Sequence, residues 1–181
     1  RLVGSEMCIR DRVITNDDVG HLAKITSLDT LNISGKRSRI DKIGDLEKLK
    51  GLRILFLQHF PINLEMAKVI GRNGSINQLH LYGVMLNDVG LKEIAQNRNL
   101  KTLGLSENSI TDTGIMSLAN HPCLSYLNVS DTKVTGQSLK KICQNKCISE
   151  LNLSGLKITD SDIIHLGTMA WLTHLNLANT E

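Results

Sequence analysis

A period of 24 residues governs this 181-residue chain. Leu28, Leu52, Ile76, Leu100, Leu124, Ile148 and Leu172 follow one another at that spacing without a slip. Three residues after each stands a leucine: Leu31, Leu55, Leu79, Leu103, Leu127, Leu151 and Leu175. Two further on comes another aliphatic: Ile33, Leu57, Leu81, Leu105, Val129, Leu153 and Leu177. Self-similarity at a fixed period of this length marks a solenoid, whose units cannot cover their own apolar flanks and so must stack. Within a unit the leucines at positions 4 and 6 alternate with polar residues, which is strand periodicity. The second half is apolar at wider spacing. In LKTLGLSENSITDTGIMSLANHPC, residues 100–123, Ile110, Ile115 and Leu118 carry it. Asp112, or Thr111 before it, is placed to cap a short helix from about Thr113 to Asn120, and Asp160 repeats that role. Gly114 lies inside the pattern and does not read as a helix stop.

A strand, a helix and a second strand parallel to the first make a right-handed crossover. Stacked, these units place one leucine core between a parallel sheet and a row of helices. The pattern resembles the leucine-rich repeat family over residues 13–181, and among its subtypes the 24-residue bacterial kind with an I-T-D-x-G-I-x-x-L-A second half, including GALA-type repeats. The resemblance implies an α/β right-handed solenoid, a horseshoe arc with the parallel sheet on the concave side and short helices on the convex side. It divides the chain into a half repeat at 13–27, six full repeats over 28–171 and a truncated repeat at 172–181. Members usually carry Asn, Cys or Thr at unit position 9, where the side chain ties the loop backbone. Here that position holds Lys36, Phe60, Val84, Asn108, Thr132, Leu156 and Thr180, so only Asn108, Thr132 and Thr180 can make those bonds, and Phe60 is expected to point into the loop core. The first full unit is irregular: GKRSRIDKIGDLEKLKG places Ser38 where an aliphatic belongs and shifts the apolar residue to Ile40, which predicts a distorted loop and a weakened helix.

The opening RLVGSEMCIRDR resembles translated adapter read-through, and residues 1–12 are read as a non-native segment. The alternative is a degenerate cap with Met7 and Ile9 at strand positions. The repeat becomes convincing at ITNDDVGHLAK, where Ile14, Val19 and Leu22 hold second-half positions. Solenoids need terminal units with a polar outer face, and neither end supplies one, so the chain reads as a fragment of a longer protein. The compartment stays open on this reading. No stretch approaches the length of apolar sequence a membrane span needs.

Charge and cysteines narrow the function classes further. The net charge is only +3, and the basic residues are scattered apart from Lys36, Arg37 and Arg39 and the Lys140–Lys141 pair. Nucleic-acid binding would call for a basic stripe with stacking aromatics, and aromatics make up 3% of the chain. Cys123 and Cys147 occupy one unit position in adjacent repeats, close enough in principle for a disulfide. His121, Cys123, Cys143 and Cys147 are four conceivable zinc ligands without a recognised spacing. Plain thiols are the third reading. The N-x-S strings at Asn32, Asn128 and Asn152 follow from the strand alternation, and with that at Asn73 are not read as glycosylation sites.

No phosphate-cradling glycine loop, G-x-S-x-G or metalloprotease helix motif occurs, so no enzyme chemistry, metal site or cofactor is expected. The family's working surface is the concave sheet, presented by unit positions 3, 5, 7 and 8. Most of these are small and polar toward the C-terminus. The second and third full-length strands differ: Ile54, Phe56, Gln58, His59, Gln78, His80 and Tyr82 should converge on neighbouring strands, with Tyr126 and Glu150 further along. Aromatics facing outward from a sheet suit an interface, although cross-strand packing on one another would also explain them. The expected function is therefore a protein-protein interaction scaffold that binds a protein partner through its concave sheet. The alternative is a substrate-recognition or sensing segment of an enzyme, a ubiquitin-ligase adaptor or a kinase, whose catalytic module lies elsewhere.

Overall fold

The computed structural model of the protein describes residues 5–10, 15–22, 24–35 and 44–180. Arg12, Ile14, the Lys36–Arg37–Arg39 patch, Ser38 and Ile40 lie outside these residues. Within them, eight strands form one parallel sheet in strict chain order: β1 (Ser5–Arg10), β2 (Leu28–Ser34), β3 (Ile54–Gln58), β4 (Gln78–Tyr82), β5 (Thr102–Gly104), β6 (Tyr126–Asn128), β7 (Glu150–Asn152) and β8 (His174–Asn176). The 24-residue period appears directly as register, with Leu31, Leu55, Leu79, Leu103, Leu127, Leu151 and Leu175 paired in one line across the sheet. All of these are buried except Leu175, on the last strand. Met7 and Ile9 pair with Leu31 and Ile33, the strand positions of the degenerate-cap reading.

Between the strands run α1 (Asn16–Leu22), α2 (Leu64–Arg72), α3 (Asp88–Ile94), α4 (Asp112–Ile115), α5 (Gly136–Ile142) and α6 (Asp160–Leu166). In the irregular first full unit a 3-10 turn, Gly44–Lys48, replaces the helix, in line with the weakening read from its sequence. Strands stack at about 4.8 Å, whereas helices need about 10 Å, so the array bends with its sheet inside. No helix among the described residues is long and apolar enough to cross a membrane.

The helix expected over Thr113–Asn120 starts one residue earlier, lasts a single turn as α4, and tightens into a 3-10 turn at Met116–Leu118. There the Ser117 hydroxyl donates to the Gly114 carbonyl at 2.7 Å, the back-bonding by which serine competes with the helical ladder.

Of the two candidate caps read from the sequence, Asp112 does not cap its own helix. Thr111 is the N-cap, its hydroxyl accepting from the Thr113 amide. The Asp112 carboxylate instead reaches the next unit, accepting from the Thr135 amide at 2.9 Å and its hydroxyl at 2.6 Å. Asp88 does the same for Thr111, at 2.8 and 2.6 Å. Asp160 is the first residue of α6, where Thr159 and Asp162 form a capping box.

Two further sets of side chains join the units. Asn108, 5% exposed, accepts from the Val84 and Leu86 amides and donates to the Leu81, Leu105 and Ser106 carbonyls. Thr132 and Thr180 hold the same unit position but donate within their own units, to Val129 and Leu177, and Phe60 is buried there. At unit position 22 the buried amides of Asn73, Asn97 and Asn145 donate to carbonyls of the preceding unit, Leu46, Asn73 and Leu118 among them. His121 takes the same place between Asn97 and Asn145, its Nε2 at 2.8 Å from the Asn97 carbonyl.

Candidate functional site

Phe56 on β3 and His80 on β4 are register partners at unit position 5, and so face the concave side together. Their rings stack with centroids 4.5 Å apart and planes 8° from parallel. On the next strand the partner of His80 is Gly104. A β-carbon there would lie 3.0 Å from His80 Nδ1, so glycine leaves the imidazole room to lie flat. An open groove of about 290 Å³ results, lined by Phe56, Gln58, His80, Tyr82, Gly104 and Ser106 among others. Burial holds the His80 imidazole below its ordinary pKa, which favours the neutral ring.

Tyr82 forms one rim. The His59 ring meets it edge-on with centroids 4.8 Å apart, and its hydroxyl donates to the Glu107 carboxylate. That bond raises the phenol pKa and keeps the hydroxyl protonated. His59 and Glu107 both stand at unit position 8, with φ near +58° and +56°, and Asp131 follows at +53°. This left-handed backbone turns the chain out of each strand. For side chains such as His and Glu it carries a cost on the order of 1 kcal/mol.

The sequence-predicted residues thus divide. Phe56, Gln58, His80 and Tyr82 share one groove, with His59 at its edge. Ile54 and Gln78 pair with each other one row below, at unit position 3. Tyr126 and Glu150 continue that row on β6 and β7, apart from the groove, and Glu150 faces His174 at 4.0 Å. Gly104, Ser106 and Glu107 escaped the sequence reading. Gly104 had a signal, as the one glycine at unit position 5 beside an aromatic pair. Glu107 had none, since its tie to Tyr82 spans 25 residues.

The concave rows also differ from the rest of the chain in charge. From β2 to β8 no Lys or Arg occupies unit positions 3, 5, 7 or 8, whereas Glu107, Asp131 and Glu150 do. Elsewhere, Cys8, Cys123 and Cys147 are exposed thiols and Cys143 is buried in the core, which pushes its thiol up to about 11. Among the described residues no three His, Cys, Asp or Glu side chains come together in a way that could hold a metal ion.

Comparison with known proteins agrees with this architecture. The Leucine Rich repeat family model matches residues 96–119 and 120–143. Internalin C2 from Listeria monocytogenes superposes on 97% of this chain and 71% of its own, with a TM-score of 0.75 and 24% identity. The plant peptide hormone receptor RGFR1, solved in complex with RGF2, superposes on 98% of this chain and 32% of its own, with a TM-score of 0.60 and 18% identity. No curated protein sequence matches. The chain has the leucine-rich repeat fold, an open solenoid of parallel strands and short helices, and two of its repeats match the family model.

Proposed function

We propose that this chain is a protein-binding scaffold, of the bacterial 24-residue subtype, which docks a protein partner on its concave sheet and carries out no chemistry of its own. The observation that carries the reading is the half-buried Phe56–His80 stack beside the Tyr82–His59 pair, opened to solvent by Gly104. The stacking itself is the cross-strand packing that sheet aromatics adopt for stability. What favours an interface is the groove alongside it, with rigid rings that lose few rotors when covered. That RGFR1 was solved with RGF2 bound supports a binding role for the same fold.

The test places a photo-crosslinking residue at Gln58, or as a control at Lys141, in the protein in its own cells. Proteins joined through position 58 and absent from the control are then measured against Phe56→Ala, His80→Ala, Tyr82→Ala, Tyr126→Ala and Glu150→Ala. Loss of affinity on the groove variants is expected. Unchanged affinity for every captured protein across all five would overturn the proposal.

A further inference from the structure

We infer, resting on that reading, that the Tyr82–Glu107 rim of the groove receives an arginine side chain of the protein partner. The first support is the charge of the surface. In a chain of net charge +3, the concave rows from β2 to β8 hold three carboxylates and no Lys or Arg. A basic segment is the complementary occupant, and a polyanion is the wrong one. The second support is where two of those carboxylates stand. Glu107 and Asp131 occupy the same unit position on successive units, so their backbones are about one strand spacing, roughly 4.8 Å, apart. Both are exposed, and no described cation pairs with either.

The third support is geometric. Glu107 uses Oε1 to accept from the Tyr82 hydroxyl. Its Oε2 is turned toward Gly83, 3.6 Å from where a β-carbon would sit, and His59 Nδ1 is 3.1 Å from the same point. At Tyr82, which lines the groove, the ring and the second Glu107 oxygen therefore stand side by side. A planar cation lying against the Tyr82 ring donates to Glu107 Oε2, with the Asp131 charge on the next unit adding to its attraction. Guanidinium has the flat face and the fork of donors for this arrangement, whereas an ammonium offers only a point charge.

The experiment selects peptides from a random display library on the folded chain and keeps those whose affinity falls with Tyr82→Ala or Phe56→Ala. Each is remade with citrulline, then lysine, at every arginine, and measured on the parent chain and on Glu107→Gln/Asp131→Asn. The side-chain amide introduced by Glu107→Gln still accepts the Tyr82 hydroxyl, so the variant removes charge and keeps shape; an unchanged denaturant midpoint verifies this. The expected result is one arginine per binder whose change to citrulline costs on the order of tenfold in affinity. Lysine should recover only part, the double carboxamide variant should cost the same and not add to citrulline, and binding should weaken as salt rises. Groove-dependent binders that lack arginine, or that ignore the carboxamide variant, would overturn this inference and leave the docking surface standing. A selection in which no binder depends on Tyr82 or Phe56 would overturn both.

Discussion

The Asp112 carboxylate and Thr135 form a two-point clamp across adjacent units, one oxygen on the amide at 2.9 Å and the other on the hydroxyl at 2.6 Å. The amide it satisfies is that of the α5 N-cap, which has no partner inside the helix. Asp112→Ala is therefore expected to lower stability by about 1–2 kcal/mol, read as a fall in the urea midpoint.

One unit further on the same slot is filled from the other side. Gly136 stands where Asp112 would recur, and a β-carbon on it would collide with the Asp162 carboxylate. Asp162 accepts instead from the Thr159 amide at 3.0 Å and hydroxyl at 2.7 Å, bonds that hold its carboxyl below its ordinary pKa. Gly136→Asp alone should destabilise by crowding two carboxylates. Gly136→Asp with Asp162→Gly should recover most of the loss, and a double-mutant cycle by chemical denaturation measures the coupling. Equal instability of the single and double variants would contradict the shared slot.

Asn108 serves two buried amides and three carbonyls from a nearly closed site. Asn108→Ala leaves the Val84 and Leu86 amides without acceptors and should cost about 2–4 kcal/mol. Hydrogen exchange at those two amides should rise well above that of their neighbours.

His121 makes the fold acid-sensitive. Its Nε2 faces the Asn97 carbonyl while Nδ1 is buried with no partner, so a second proton would have nowhere to bond. Burial, with the nearby Arg98 charge, holds its pKa below the ordinary value. The unfolded chain takes up that proton near about 6.5, so this contribution to stability is present above that pH and is lost as pH falls below it. His121→Asn restores the residue of the neighbouring units and should flatten the decline between about pH 7 and pH 5. His80, also shifted down by burial, is present in both proteins and does not affect the difference between them.

Leu127 is fully buried in the line of strand leucines. Leu127→Asp puts an unpaired charge into the shared core and should cost more than about 4 kcal/mol. Because each unit touches only its neighbours, the loss should show as a broadened, less cooperative denaturant transition. An unchanged transition would contradict the register.

The strands were legible because their signal is local and repeated: leucines two and three apart, every 24 residues, dictate both the pairing and the face that each residue takes. Phe56, His80 and Tyr82 followed from the same phase. What escaped was the chemistry that joins one unit to the next. Asp112 stood beside Thr111 as a candidate cap of its own helix because capping is a near-neighbour rule, whereas its partner lies 23 residues on. The Asn73, Asn97 and Asn145 series carried a signal in its fixed phase, but polar residues after a helix read as loop until their burial is known. Helix length was lost for a similar reason, since Ser117 back-bonding depends on a rotamer that no pattern records.

The carboxylate slot has a meaning for how such a gene can be edited. Excising residues 124–147 removes one whole period, and every strand keeps its phase. Yet it would set Asp112 directly before the unit that contains Asp162, so that two carboxylates contend for the single place beside Thr159. Duplicating the same residues would instead set Gly136 before a second Ser138 and leave a Thr135 with no carboxylate at all. Units that look interchangeable in their leucines are keyed to their neighbours at this one position, so the order of units in the array is itself inherited information.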